Sequence, residues 1–185
     1  MIAGQTIAKL APFYQQSNLV NVVIDTPKGA PYKLKYEPET GIFRVHKALP
    51  LGLAFPFNFG FLPSTCGEEG DPLDVLLLTD YVMPVGTILL GQMISILEAD
   101  QIENKKKQRN DRLIAVPVEV ASRKPMQPAV EFNNTFKKAV ADFFVKYNEL
   151  QGKTFRPLRY ANAKAAVGAV REGMRFNTAT NLALR

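Results

Sequence analysis

The sequence predicts an α+β domain, a small curved sheet or barrel with helices packed against it. Three observations carry this. Short β-like runs separated by turn residues fill the first two thirds of the chain. After Pro128 the apolar period lengthens to that of a helix. The 185 residues, 46% of them hydrophobic, suffice for one packed core and are short for two. One domain over residues 1–185 follows, and the chain shows neither an internal repeat nor a linker.

In order, the runs are "LVNVVID" (19–25), "YKLKYE" (32–37), "GIFRVH" (41–46), "LDVLLLTD" (73–80), "GTILLGQMISILEAD" (86–100) and "RLIAVPVEV" (112–120). Pro27-Lys28-Gly29, Pro38 to Gly41, Gly70-Asp71-Pro72 and Pro84-Val85-Gly86 punctuate them. "YKLKYE" alternates strictly, with Tyr32, Leu34 and Tyr36 on one face and Lys33, Lys35 and Glu37 on the other, so it reads as a strand with a charged face. Further on, Phe132, Phe136, Val140, Phe143, Tyr147 and Leu150 recur at steps of three and four, the stripe of an amphipathic helix of about 20 residues ending at Gly152. Ala163, Ala166, Val167, Val170 and Met174 mark a second helix after Asn162.

No stretch approaches the roughly 18 uninterrupted apolar residues of a membrane span, and the N-terminus lacks a signal-peptide pattern. A soluble, cytoplasmic protein without a membrane partner is expected. Cys66 and His46 are the sole residues of their types, which excludes an internal disulfide and disfavours a cysteine- or histidine-built metal site. The net charge of +6 and the pI near 9.4 point to anionic partners, although "NKKKQRNDR" (104–112) reads most simply as a solvated loop or helix face.

Against this basic background, "CGEEGDPLDVLLLTD" (66–80) gathers Glu68, Glu69, Asp71 and Asp74 at the mouth of an apolar run. In an extended segment Glu69 and Asp71 share a side, and a bend at Gly70 and Pro72 allows Asp74 to join them. Hard oxygen donors without His or Cys select Mg²⁺, Mn²⁺ or Ca²⁺. The plainer alternative is a solvated acidic turn. Asp74 resists it, because burying an unpaired carboxylate is costly; a metal ion, or Lys33, Lys47 or Arg112, would relieve that cost.

"FPFNFGFLPST" followed by "GDPLDVLLLTD" closely resembles the signature of the soluble Mg²⁺-dependent inorganic pyrophosphatases. "VVIDTPKGAPYK", "RLIAVP" and "DFFVKYNELQGK" extend the resemblance in the same order over about residues 20–155. It implies a five-stranded barrel of the oligonucleotide-binding type with additional strands, two flanking C-terminal helices and a homo-oligomer. The implied reaction is hydrolysis of pyrophosphate to two phosphates by metal-activated water, with Mg²⁺ as cofactor and Mn²⁺ as a substitute. Asp71 falls on the proton-accepting aspartate and Asp74 on a metal-bridging one. Glu69 and Asp100 complete the implied metal ligands, and Lys33, Lys47, Arg112, Tyr147 and Lys153 match substrate-binding positions.

Several positions depart from the family's pattern. Glu69 stands for an aspartate, Asp25 for a glutamate, Lys47 for an arginine and Arg112 for a lysine. Lys35 falls on a glutamate unless a two-residue slip brings Glu37 there. Phe59 replaces a tyrosine, Asn148 a lysine, and Asn110 one of two aspartates in the second metal segment. Two other readings follow from these losses: a catalytically impaired relative that binds a phosphate or diphosphate, and, less expected, a nucleic-acid binder stacking bases on Phe55, Phe57, Phe59 and Phe61.

Overall fold

The computed structural model describes residues 7–126 and 131–183. Pro128, at which the apolar period changes, lies outside them. Among the described residues nine strands and two long helices follow one another: β1 (Leu19–Thr26), β2 (Tyr32–Glu37), β3 (Ile42–Ala48), β4 (Asn58–Phe61), β5 (Asp74–Leu77), β6 (Ile88–Glu103), β7 (Lys106–Arg109), β8 (Arg112–Val118), α1 (Asn134–Glu149), β9 (Thr154–Asn162) and α2 (Ala163–Ala183).

Five strands close into a ring. β1 pairs with β4, β4 with β5, β5 with β8, β8 with β6, and β6 returns to β1; only the β5–β8 ladder is parallel. β2 and β3 form a separate hairpin. The "VLLL" run is continuously apolar because it is covered on both faces. Val75 and Leu77 join a cluster with Ala166 and Val170 of α2, whereas Leu76 and Leu78 join one with Phe136, Val140 and Phe144 of α1. Where β4 crosses β1, a Cβ on Gly60 would stand 2.2 Å from the Val23 carbonyl oxygen, so the ring closes there only around glycine.

β6 is long enough for two tasks. Leu90 to Leu97 pair with β8 inside the ring, while Asp100 to Glu103 carry β7 on one edge and the first residues of β9 on the other. The segment read as a solvated loop is therefore a hairpin arm. Its turn residues Asn104 and Lys105 both take positive φ (50° and 65°), the geometry of a tight two-residue hairpin connection. β9 was hidden by Pro157, which sits at an irregularity in the ladder, between the Glu98–Arg159 and Ala99–Pro157 partners, where a missing N–H is tolerated.

Asn133 caps α1, its Oδ1 accepting from Phe136 N at 3.0 Å, and Gly152 follows the helix at φ +70°. The buried face is Phe136, Val140, Phe144 and Asn148, while Leu150 is exposed. Phe55, Phe59 and Phe61 are at most 7% exposed, so these rings are core and present no stacking surface for bases. Among the described residues no helix is long and apolar enough to cross a membrane.

Candidate active site

A cavity of about 470 Å³ opens where β1, the β2–β3 hairpin, the loop before β5, the β6–β7 arm and the end of α1 meet. The acidic loop is held from below. Gly70 (φ +88°) turns the chain, Gly67 N donates to Asp71 O at 2.8 Å, and Thr65 Oγ1 accepts from Leu73 N at 3.0 Å. Helix α2 fastens it, since Cys66 N donates to Gly173 O and a Cβ on Gly173 would lie 2.7 Å from Leu73. The result is that Glu69, Asp71 and Asp74 all line the cavity.

Facing them are the cations of the charged face of β2. Lys33 Nζ lies 2.8 and 2.9 Å from the two oxygens of Asp25, and 3.9 Å from the centre of the Phe59 ring. Phe59 thus replaces the hydroxyl of a tyrosine with an aromatic face that the ammonium covers. Lys35 Nζ reaches Asp71 Oδ1 at 2.7 Å. Lys35 therefore lines the cavity, and Glu37 turns away to Arg44 and Thr40. Arg112 is the cation that relieves Asp74, with Nη1 3.0 Å from Oδ2. It is 5% exposed, lies over Phe144 and Phe155, and also donates to Asn110 Oδ1 and the Asp111 carbonyl.

Tyr147 and Lys153 line the same cavity, Lys153 bonded to Glu103 at 3.0 Å. Tyr147 packs on Phe55 and Phe143, and burial raises its hydroxyl above the ordinary tyrosine range. Two expected residues are not brought in. Lys47 stands opposite Lys33 in the ladder but does not line the cavity. Asp100 is buried on the other side of β6 against Lys107, at 2.8 Å, because neighbouring strand residues face opposite ways. Its neighbours in the alternation, Gln101 and Glu103, are the ones that reach the cavity. Gln108 also reaches it, and Asn148 does so while donating to the Phe144 carbonyl at 2.8 Å. The period-two rule counted from Asp100 already contained Gln101; the segment's acidity drew attention to the wrong parity.

The electrostatics single out two carboxyls. Burial raises Asp25 from 3.8 to about 6, with Lys33 opposing the shift. Glu69 rises from 4.5 to about 7, mainly through burial and secondarily through the charges of Asp74 and Asp71. Asp25, Asp71, Asp74 and Glu103 each have a lysine or arginine partner, whereas among the described residues Glu69 is the lining carboxyl without an ion pair.

These residues fit a divalent cation on one wall. Glu69, Asp71 and Asp74 are hard oxygen donors, the set that suits Mg²⁺ or Mn²⁺. Among the described residues no three acidic, His or Cys side chains converge on one point as they stand, Asp71 and Asp74 being turned to Lys35 and Arg112. The opposite wall has amides: Asn110 Nδ2 donates to Gln101 Oε1 at 2.8 Å.

Comparison with known proteins agrees with the fold. The family model described as inorganic pyrophosphatase matches residues 22–177. The inorganic pyrophosphatase of Sulfolobus acidocaldarius is 32% identical over 145 residues, covering 77% of this chain and 82% of that one. That of Thermus thermophilus is 29% identical over 156 residues, covering 83% and 87%. The crystal structure of the Thermus thermophilus inorganic pyrophosphatase superposes with a TM-score of 0.79 at 26% identity, over 94% of this chain and 99% of that one.

Proposed function

The chain belongs to the inorganic pyrophosphatase family of enzymes, and on that premise we propose that it hydrolyses inorganic pyrophosphate to two phosphates with Mg²⁺, or Mn²⁺ in its place. The observation that supports this most is the gathering of Asp71, Asp74, Lys33, Arg112, Tyr147 and Lys153 around one cavity. Glu69, Asp71 and Asp74 are the residues to hold the cation. Bound there, it supplies charge screening to a highly anionic substrate and acidifies the attacking water.

Asp71 takes the proton of that water. The oxygen of the water then forms the new bond to phosphorus as the bridging P–O bond breaks, and the bridging oxygen leaves with the second phosphate. Lys33, Arg112 and Lys153 hold phosphate oxygens while the charge shifts, work that requires positioning more than covalent chemistry. The Tyr147 hydroxyl, kept protonated by its burial, donates a hydrogen bond to the departing phosphate. The same reading takes the chain as one domain that assembles as a homo-oligomer in the cytoplasm.

The test is phosphate release from pyrophosphate with Mg²⁺, with Mn²⁺ and with chelator. Release requires metal, and Asp71→Asn lowers it by about 10²–10⁴-fold, the range for loss of a positioned base. An equally active variant would remove Asp71 from its role. A folded protein that binds pyrophosphate but releases no phosphate with either metal would favour the impaired, binding-only reading, for which the amide wall is the supporting observation.

A further inference from the structure

We infer that the loaded cavity takes its divalent cations on the Glu69–Asp71–Asp74 wall alone. On the opposite wall the Gln101–Asn110 amide pair, with Arg112, meets the oxygens of a diphosphate directly. The inference rests on the reading above and concerns how this chain fills the site, not whether it turns over.

Every acidic residue of the second segment is already paired, Glu98 with Arg109 and Arg159. Asp100 is behind the strand against Lys107 at 2.8 Å. Asp111 accepts from Ala99 N at 2.9 Å and pairs with Arg109 at 2.6 Å. Glu103 reaches the cavity but is neutralised by Lys153 at 3.0 Å. Apart from the Lys153-paired Glu103, what this wall turns to the substrate volume is therefore neutral or cationic: Gln101, Gln108, Asn110 and the Arg112 guanidinium.

The amides are built in. Gln101 is 9% and Asn110 8% exposed, and they are joined at 2.8 Å with Asn110 Nδ2 as donor. Both oxygens are occupied, Gln101 Oε1 by Asn110 and Asn110 Oδ1 by Arg112 Nη1. A metal ion would have to break these bonds to reach an oxygen that Mg²⁺ ranks below a carboxylate, beside a fixed guanidinium. A phosphate oxygen needs no such change, because the Gln101 amino group and the guanidinium are donors, and an amide beside Arg suits an oxyanion.

The experiment counts ions. The full chain at pH 8 is titrated with Mn²⁺, free ion being read by electron paramagnetic resonance, and compared with Gln101→Asp/Asn110→Asp. The double variant is expected to hold at least one more Mn²⁺ per chain than the parent. An equal count in a folded double variant overturns the inference. Should the double variant not fold, the near-isosteric Asn110→Asp gives the same comparison, again with an added ion expected and an unchanged count overturning the inference. In parallel, Gln101→Ala is titrated with methylenediphosphonate at saturating Mn²⁺. Affinity is expected to fall about tenfold at an unchanged Mn²⁺ count, the scale of one lost hydrogen bond to a charged group; undiminished affinity overturns the direct contact. Phosphate release by the parent protein is scored separately. Its absence alongside the expected counts sinks the proposed turnover alone, whereas an active parent with equal counts sinks this inference alone.

Discussion

The two walls of the cavity are made of the same kind of structure and carry opposite chemistry. Both are strand ends with a turn beside them: the Gly70 bend before β5 on one side, the Asn104–Lys105 turn after β6 on the other. The first presents Glu69, Asp71 and Asp74; the second presents Gln101, Glu103 and Asn110, with its one carboxylate neutralised. The backbone thus fixes where side chains converge, and residue type alone decides whether a wall attracts cations or anions. Arg112 is the joint between them, touching Asp74 on one wall and Asn110 on the other.

That joint gives the largest effect on stability. Arg112→Met keeps the packing against Phe144 and Phe155 but leaves Asp74 without its cation and both walls unlinked. Breaking such a pair costs about 3 kcal/mol or more, which a urea denaturation series resolves. A loss under 1 kcal/mol would show that the walls stand independently.

A middle-sized effect belongs to the acidic wall's neighbour, Asp25. Its folded value of about 6 lies above its ordinary 3.8, so between those pH values the native state holds more protons than the unfolded one. Stability contributed by protonated Asp25 is therefore full below about pH 4 and is lost as pH rises through about 6. In chelator, the parent is expected to lose on the order of 1–3 kcal/mol relative to Asp25→Asn across that window. Parallel curves for parent and variant would refute it.

The smallest effect tests which face of β6 belongs to the site. Lys107→Ala removes an ammonium whose side chain is 63% exposed from a buried Asp100. Stability is expected to drop by about 0.5–1 kcal/mol with phosphate release unchanged. A large loss of release would place Asp100 back in the active wall.

Much of the acidic wall was legible in the sequence. "GDPLD" contains its own bend, and Asp74 in front of an apolar run demanded a cation that the structure supplies as Arg112. The strict alternation of "YKLKYE" likewise foretold that Lys33 and Lys35 share a face, though not that the face would line a cavity. The strands of the ring read well because "VLLL" and "RLIAVPV" are covered on both sides. The amide wall was hidden for two reasons. Charge in "NKKKQR" masks a hairpin whose signal is two positive φ values rather than a glycine, and Pro157 breaks the pattern of β9 at a ladder irregularity that composition cannot disclose. Asp100 shows the cost of choosing a residue by type before parity: a one-residue difference in a strand is a change of side. Lys47 shows the converse, correct in charge and in ladder position yet outside the cavity.

The length of β6 has a consequence for how such a protein changes over generations. Its first residues close the ring with β1, and its last ones form a wall of the cavity with β7 as an arm beyond the ring. On the proposed reading, substitutions in the arm act on the reaction while the ring retains its own ladders, so ion demand is free to drift on a scaffold that stays folded. On that reading the hairpin "NKKKQR" is an adjustable cassette, and dissolved cations can be traded for built-in ones without redesigning the core.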